Sequence, residues 1–178
     1  MKFDPQKHHR RSIRLKDYDY SQAGACYVTI DVQNRECLFG DIVNYEMVLN
    51  EAGKMIDEQW NALPKRFPNI ELDVYQIMPN HFHGIIVIVE YGAGTRPAPA
   101  SKSTLGDIVG AFKSITTNEY IDGVDNQNWP QFYKRLWQRN YYEHVVRNEA
   151  DLNRIRDYIQ FNPSNWEEDE EDPKFKRI

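Results

Sequence analysis

The sequence predicts an α+β fold built on an antiparallel sheet. Three observations lead there. Cys26–Gln33 alternates apolar with polar residues. Ile70–Ile77 and His81–Glu90 are strand-like runs joined only by Met78-Pro79-Asn80, as in an antiparallel hairpin. Two segments of helical spacing separate these strands from one another and from a later strand.

Taken in order, residues 1–20 read as a polar, basic arm, since residues 7–16 carry five Lys or Arg and no acid. In the first strand Tyr27, Thr29 and Asp31 face one way and Cys26, Val28, Ile30 and Val32 the other. Asn44–Phe67 has helical spacing, with Met47, Ala52 or Met55, Ile56, Trp60 and Leu63 on one face, and Pro68-Asn69 breaks it. The run from Ile85 to Val89 is rich in Ile and Val and reads as a buried strand. Residues 91–103 are rich in Gly, Pro, Ala and Ser without periodicity, which predicts a mobile loop. Thr104 caps a second helix to about Tyr120, burying Leu105, Ile108, Val109, Phe112 and Ile115, and Asp122–Pro130 reads as a polar loop. A fourth strand is expected within Phe132–Val146. Asn148 then caps a helix with Glu149 and Asp151 in its first turn, Leu152, Ile155 and Ile159 as its buried stripe, and Pro163 as its stop. Residues 167–172 are six consecutive acids, and 167–178 is expected to be a disordered acidic tail. The order βαββαβ plus a last helix is ferredoxin-like. It puts two helices on one sheet face and leaves the other free for the C-terminal helix.

At 178 residues and 40 % hydrophobic content, the chain is expected to be a single domain (1–178) able to bury a core. No apolar run approaches the length of a membrane span, and Met1–Arg11 lacks the apolar core of a signal peptide. Two cysteines make no disulfide framework. A reducing cytoplasm, with association to the bacterial nucleoid, is the expected location. The net charge of −5 is unusual for a nucleic-acid binder. The distribution softens that objection, because the basic arm and a second concentration, Lys134, Arg135, Arg139, Arg147, Arg154 and Arg156, stand apart from the acidic tail. Each basic strip reads equally well as an ordinary solvated face.

The chemistry starts at Met78-Pro-Asn-His-Phe-His83. Side chains alternate along a strand, so His81 and His83 share a face and Phe82 points oppositely. Two imidazoles side by side form half of a divalent-metal site. The spacing also occurs in strands that bind nothing. On the last helix Tyr158 and Asn162 lie one turn apart, with Arg154 a turn before. Alone, Tyr158 reads as the edge of the buried stripe and Asn162 as a helix end.

Together with Thr104–Ser114, Trp137–His144 and Arg156–Pro163, and in that order, these residues resemble the REP-associated tyrosine transposases of the single-tyrosine HUH superfamily over roughly residues 20–166. The resemblance implies that His81, His83 and Asn162 hold a divalent ion and that Tyr158 is the nucleophile. The implied reaction is cleavage and rejoining of single-stranded DNA through a 5′-phosphotyrosine bond, leaving a free 3′-OH. The implied partner is hairpin DNA with a short single-stranded guide, for which Arg10, Arg11, Arg14, Arg139 and Arg154 are the candidate contacts. Relatives of this kind include dimers and monomers, so a homodimer, with Tyr158 used in cis or in trans, is compatible with it.

The residue types suit that reading. A phenol of pKa near 10 attacks a phosphodiester only when the phosphate charge is neutralised and the phosphorus oriented. Two neutral imidazoles and an amide oxygen suit Mg²⁺ or Mn²⁺, with Mn²⁺ the more tolerant of nitrogen. Cys26 and Cys37 lack zinc spacing, and Gly92-Ala-Gly94 is no nucleotide loop. Two other functions remain open: a nucleic-acid-binding module of the same fold without cleavage, and a phosphodiesterase using activated water with Tyr158 structural. Among the remaining residues, His144 reads as a DNA contact or a structural strand-end histidine, and Glu143 as a weak alternative ligand or base. Lys113 reads as facing phosphate or simply solvent, solvent being slightly preferred. Of Tyr133, Trp137, Tyr141 and Tyr142, one or two are expected to stack on unpaired bases.

Overall fold

The computed structural model describes residues 23–89 and 103–168. The expected basic arm with Arg10, Arg11 and Arg14, the loop of 91–102 and the tail of 169–178 lie outside them. Six strands and three α-helices occur among the described residues: β1 (Gly24–Asp31), β2 (Gly40–Val43), β3 (Glu46–Leu49), α1 (Glu51–Arg66), β4 (Ile70–Ile77), β5 (His81–Ile88), α2 (Leu105–Gln127), β6 (Tyr142–Val145) and α3 (Glu149–Phe161). Short 3-10 turns occupy Gln33–Arg35 and Pro163–Glu168.

The main sheet has the order β4-β5-β1-β6, antiparallel throughout, as the ferredoxin-like order requires. Along β1 the apolar parity, Cys26, Val28 and Ile30, joins Phe82, Ile86 and Ile88 of β5 beneath α1 and α2. Trp60 of α1 and Phe112 of α2 both pack on Phe82, with ring centroids 4.4 and 5.4 Å away. Gly84 makes this approach possible, because a Cβ there would come within 2.6 Å of the Trp60 ring. On the opposite face a smaller cluster, Tyr27, Ile85, Ile155 and Ile159, seats α3.

α3 is also tied by charge. Arg156 donates to both carboxylate oxygens of Asp73, at 3.0 and 2.6 Å. Asp73 sits where the β4–β5 register shifts between Leu72 and Tyr75, so the irregularity presents it to the helix. The guanidinium holds the Asp73 carboxyl below its usual range.

Four expectations on the elements need correction. Asn44–Leu49 is not helical. Asn44 and Tyr45 take left-handed φ values of 52° and 66° and turn β2 into β3, the backbone twist that favours tight hairpins. Met47 therefore fits the helical period by coincidence, and the true cap of α1 is Asn50, whose side chain accepts from Gly53 N at 2.9 Å. Asp122–Gln127 is helix rather than loop, since α2 runs on to a left-handed Asn128 at φ 57°. Ile115 is only half-buried, and Thr116 and Tyr120 take the buried positions. Finally, residues 167 and 168, expected in the disordered tail, are ordered in the turn after Pro163. The chain wraps through this 3-10 turn and buries Trp166.

Candidate active site

Strand pairing assembles the site before any side chain is considered. In the register of β1 with β5, Thr29 pairs with His83 and Asp31 with His81. In that of β1 with β6, Thr29 pairs with Tyr142 and Tyr27 with His144. Paired residues project to the same side, so one face carries His81, His83, Tyr27, Thr29, Tyr142 and His144. Glu143 pairs with Val28 and so projects to the opposite, helix-covered face, away from the histidines. That removes it as an alternative ligand or base.

His81 and His83 are almost fully buried, and their Nε2 atoms lie 2.9 Å apart. Asn80 fixes the first ring. Its Nδ2 donates to the Arg35 carbonyl at 3.2 Å, which turns its Oδ1 toward His81 Nδ1 at 2.8 Å. An amide oxygen only accepts, so Nδ1 carries the proton and the Nε2 lone pair faces His83. The second ring has the Tyr27 hydroxyl 2.8 Å and Thr29 Oγ1 3.0 Å from its Nδ1. Hydroxyls both donate and accept. His83 can thus hold its proton on Nε2, donating to His81, or on Nδ1, leaving both Nε2 lone pairs convergent.

Burial pushes the His81 imidazole down to about 3, with Asn162 opposing and the charge of Arg35 assisting. Burial, and then the neighbouring His81, push His83 well below its ordinary value. Both rings are neutral at physiological pH, the form that binds metals.

Asn162 is 3 % exposed. Its hydrogen bond to His81, the interaction that opposes the fall in that ring's pKa, sets it beside the imidazoles. The donor set fits a divalent ion. Two nitrogens bound at right angles, with bonds of about 2.1 Å, stand about 3.0 Å apart. Among the described residues no group of three or more His, Cys, Asp or Glu converges. Trp166 covers this end, its ring 6.0 Å from His81.

Tyr158 is half-exposed, with its ring 5.4 Å from His83 and 6.3 Å from Tyr27. It borders a cleft of about 420 Å³ with Tyr27, Thr29, Tyr142, His144 and Arg154. Asp151 organises the far wall. It accepts from Arg154 at 2.6 Å and lies 2.8 Å from His144 Nε2. These two partners hold its carboxyl far below the usual range.

The structure therefore brings His81, His83, Asn162 and Tyr158 to one corner, with Arg154 on the adjoining cleft. Arg139 is exposed but does not line the cleft. The expected basic concentration divides. Arg156 is engaged by Asp73, whereas Lys134 and Arg135 line a second cavity. Lys113 does not simply face solvent. Its ammonium donates to the carbonyls of Gln138 at 2.5 Å, Asn140 at 3.3 Å and Arg139 at 3.4 Å, and burial lowers its pKa to about 8. Of the four candidate stacking aromatics, Trp137 is core and Tyr141 packs against it, leaving Tyr133 and Tyr142 exposed. Sequence reasoning missed Tyr27, Thr29, Asn80, Asp151 and Trp166 as site residues. The only signal was parity for the first two and, for Trp166, a lone aromatic just past a helix end.

No family model matches the chain. An uncharacterized protein of Haemophilus influenzae strain Rd is 39 % identical over 183 residues, covering 95 % of this chain and 96 % of that one. Among solved structures, a REP-associated tyrosine transposase bound to a REP hairpin superposes with a TM-score of 0.59. It is 18 % identical and covers 86 % of this chain and 74 % of its own. A Deinococcus radiodurans R1 protein provisionally assigned as a transposase superposes with a TM-score of 0.50 at 16 % identity, over 83 % and 95 % of the two chains. The chain thus belongs to one family with the Haemophilus influenzae protein and has the fold of the REP-associated tyrosine transposase.

Proposed function

We propose that the protein is a metal-dependent, transposase-like endonuclease and strand transferase acting on single-stranded, hairpin-bearing DNA. One observation carries the reading. Two convergent, buried, neutral imidazoles and a buried amide side chain lie beside a half-exposed tyrosine at a cleft. The solved transposase with this fold is bound to a REP hairpin, which supports the choice of substrate.

His81, His83 and Asn162 would hold Mg²⁺ or Mn²⁺, which when bound neutralises a phosphate and polarises its phosphorus. Asn80, Tyr27 and Thr29 orient the two rings. Tyr158 Oη attacks the phosphorus of the scissile phosphodiester. The phenolic proton passes to water, the P–O3′ bond breaks, and the departing O3′ takes up a proton to give the free 3′-OH. The 5′-phosphate is left on Tyr158 as an ester, which conserves the bond for rejoining without ATP. Because the ring lies against His83 of the same chain, use in cis is the arrangement this geometry favours. Arg154 on the cleft is the candidate phosphate contact there, and Tyr142 the candidate stacking surface.

The test is incubation with Mn²⁺ and labelled single-stranded hairpins from the DNA flanking the gene, run on denaturing gels. The expected outcome is a slow protein–DNA species in the wild type and none in Tyr158→Phe, with hairpin binding retained. Cleavage without an adduct, surviving in Tyr158→Phe, would instead indicate hydrolysis by activated water. Binding with no cleavage in either metal would indicate a module that only binds.

A further inference from the structure

The second cavity, of about 340 Å³, lies between two segments at the carboxyl end of β1 and is lined by Gln33, Asn34, Tyr133, Lys134 and Arg135. That volume falls in the range of small-ligand sites, about 300–1,000 Å³. The segments are clamped together. Val32 and Trp137 form an isolated bridge, and Gln33 N donates to the Leu136 carbonyl at 2.8 Å. Leu136 and Trp137 anchor the outer segment in the core, both nearly fully buried. The walls are therefore preformed rather than loose loop.

The backbone around this cavity is unusual. Asn34, Arg35 and Lys134 all take left-handed φ values, 60°, 59° and 62°. Arg135 N donates to the Tyr133 carbonyl at 2.7 Å across Lys134, the hydrogen bond of a γ-turn, and with positive φ this is the rarer, strained form. Arg and Lys gain nothing locally from such φ values, and strain of this kind concentrates at ligand clamps. The turn leaves Tyr133 60 % exposed, with the Lys134 ammonium 4.7 Å from the centre of its ring.

We propose that this cavity is a subsite for one unpaired nucleotide of the DNA strand. The inference rests on the single-strand reading above and adds a second contact point to it. The Tyr133 ring stacks the base, the side-chain amides of Gln33 and Asn34 meet its polar edge, and Lys134 and Arg135 take the adjoining phosphate. An aromatic surface interleaved with cations is what sequence-tolerant single-strand binding requires. The subsite lies close to the reacting end of the sheet. Asn80, which fixes the His81 ring, also bonds the Arg35 carbonyl, one residue from Asn34. A strand seated here is thus positioned to run on toward the histidines.

The experiment is fluorescence anisotropy with the full chain and labelled single-stranded 12-mers of mixed sequence, across a salt series. Tyr133→Ala is expected to weaken binding about tenfold and Tyr133→Phe to keep it. Lys134→Gln is expected to reduce the slope of log affinity against log salt by about one phosphate contact. Unchanged binding by a folded Tyr133→Ala overturns the subsite. If the wild type then still forms its Mn²⁺-dependent adduct, the proposed function stands without it. Failure of the wild type to bind any single strand overturns both.

Discussion

Beneath α1 and α2 the sheet presents Val28, Ile30, Phe82 and Ile86, topped by Trp60 and Phe112. Beneath α3 it presents Tyr27, Thr29, His81 and His83, with Tyr27 and Ile85 meeting Ile155 and Ile159 of the helix. The same strands make both faces, so parity alone divides the labour. One face is mostly apolar, with Glu143 as its buried exception. The other buries polar groups and must satisfy each with a named partner, as Asn80, Tyr27 and Thr29 do for the imidazoles. A site built this way borrows its rigidity from the far side of its own sheet.

The comparison breaks first, and most visibly, at Phe82. Phe82→Ala is expected to cost about 3–5 kcal/mol through the cavity left against Trp60 and Phe112. His83→Ala, one residue along on the other face, is expected to cost clearly less. Urea unfolding of both variants decides it, and equal losses would show that the two faces contribute alike.

A smaller effect sharpens the same contrast. Mn²⁺ at about a hundred times its dissociation constant is expected to stabilise the wild type by about 2.7 kcal/mol, roughly 5–10 °C in melting temperature. His81→Ala and His83→Ala are expected to lose that shift, Asn162→Ala to reduce it, and Phe82→Ala to keep it despite a lower starting point. A shift that survives loss of either histidine would put the metal elsewhere.

The smallest effect is local. The hydrogen bond from Arg156 is the main cause that holds the Asp73 carboxyl below its ordinary value of 3.8. A carboxylate with a depressed folded pKa contributes stability that is present above its unfolded value and lost as pH falls through the folded one. Amides of α3 are therefore expected to lose protection relative to those of α1 below about pH 3.8, after correction for intrinsic exchange rates. Hydrogen exchange on Arg156→Gln is expected to show the weakened state at neutral pH already, with little further change in acid.

Much of this was legible in advance, for identifiable reasons. β5 announces itself because an Ile/Val run between short links has few other uses, and the Asn148 cap with its acidic first turn marks α3 to the residue. The β2–β3 hairpin escaped because its turn uses Asn44-Tyr45 rather than glycine, while Met47 happens to fall in phase with α1. His81, His83, Tyr158 and Asn162 were singled out only by the family resemblance, since spacing alone left each an ordinary structural reading. The groups that hold them were not legible, because Tyr27 and Thr29 meet His83 only through a register spanning more than fifty residues of sequence. Glu143 and His144 are adjacent in sequence, and only the pairing of β6 with β1 assigns them to opposite faces. Lys113 looked like any surface lysine until the carbonyls of the 138–140 segment were folded over it.

The alternation His81-Phe82-His83 carries one more consequence. Slipping β5 by a single residue would swing both imidazoles into the apolar layer and thrust the phenyl ring into the cleft. A one-residue insertion or deletion within this strand would therefore disrupt the histidine pair and the apolar packing together. A lineage can thus lose this site while keeping its architecture only through point substitution, and a degenerate copy would show an altered letter in an unshifted strand.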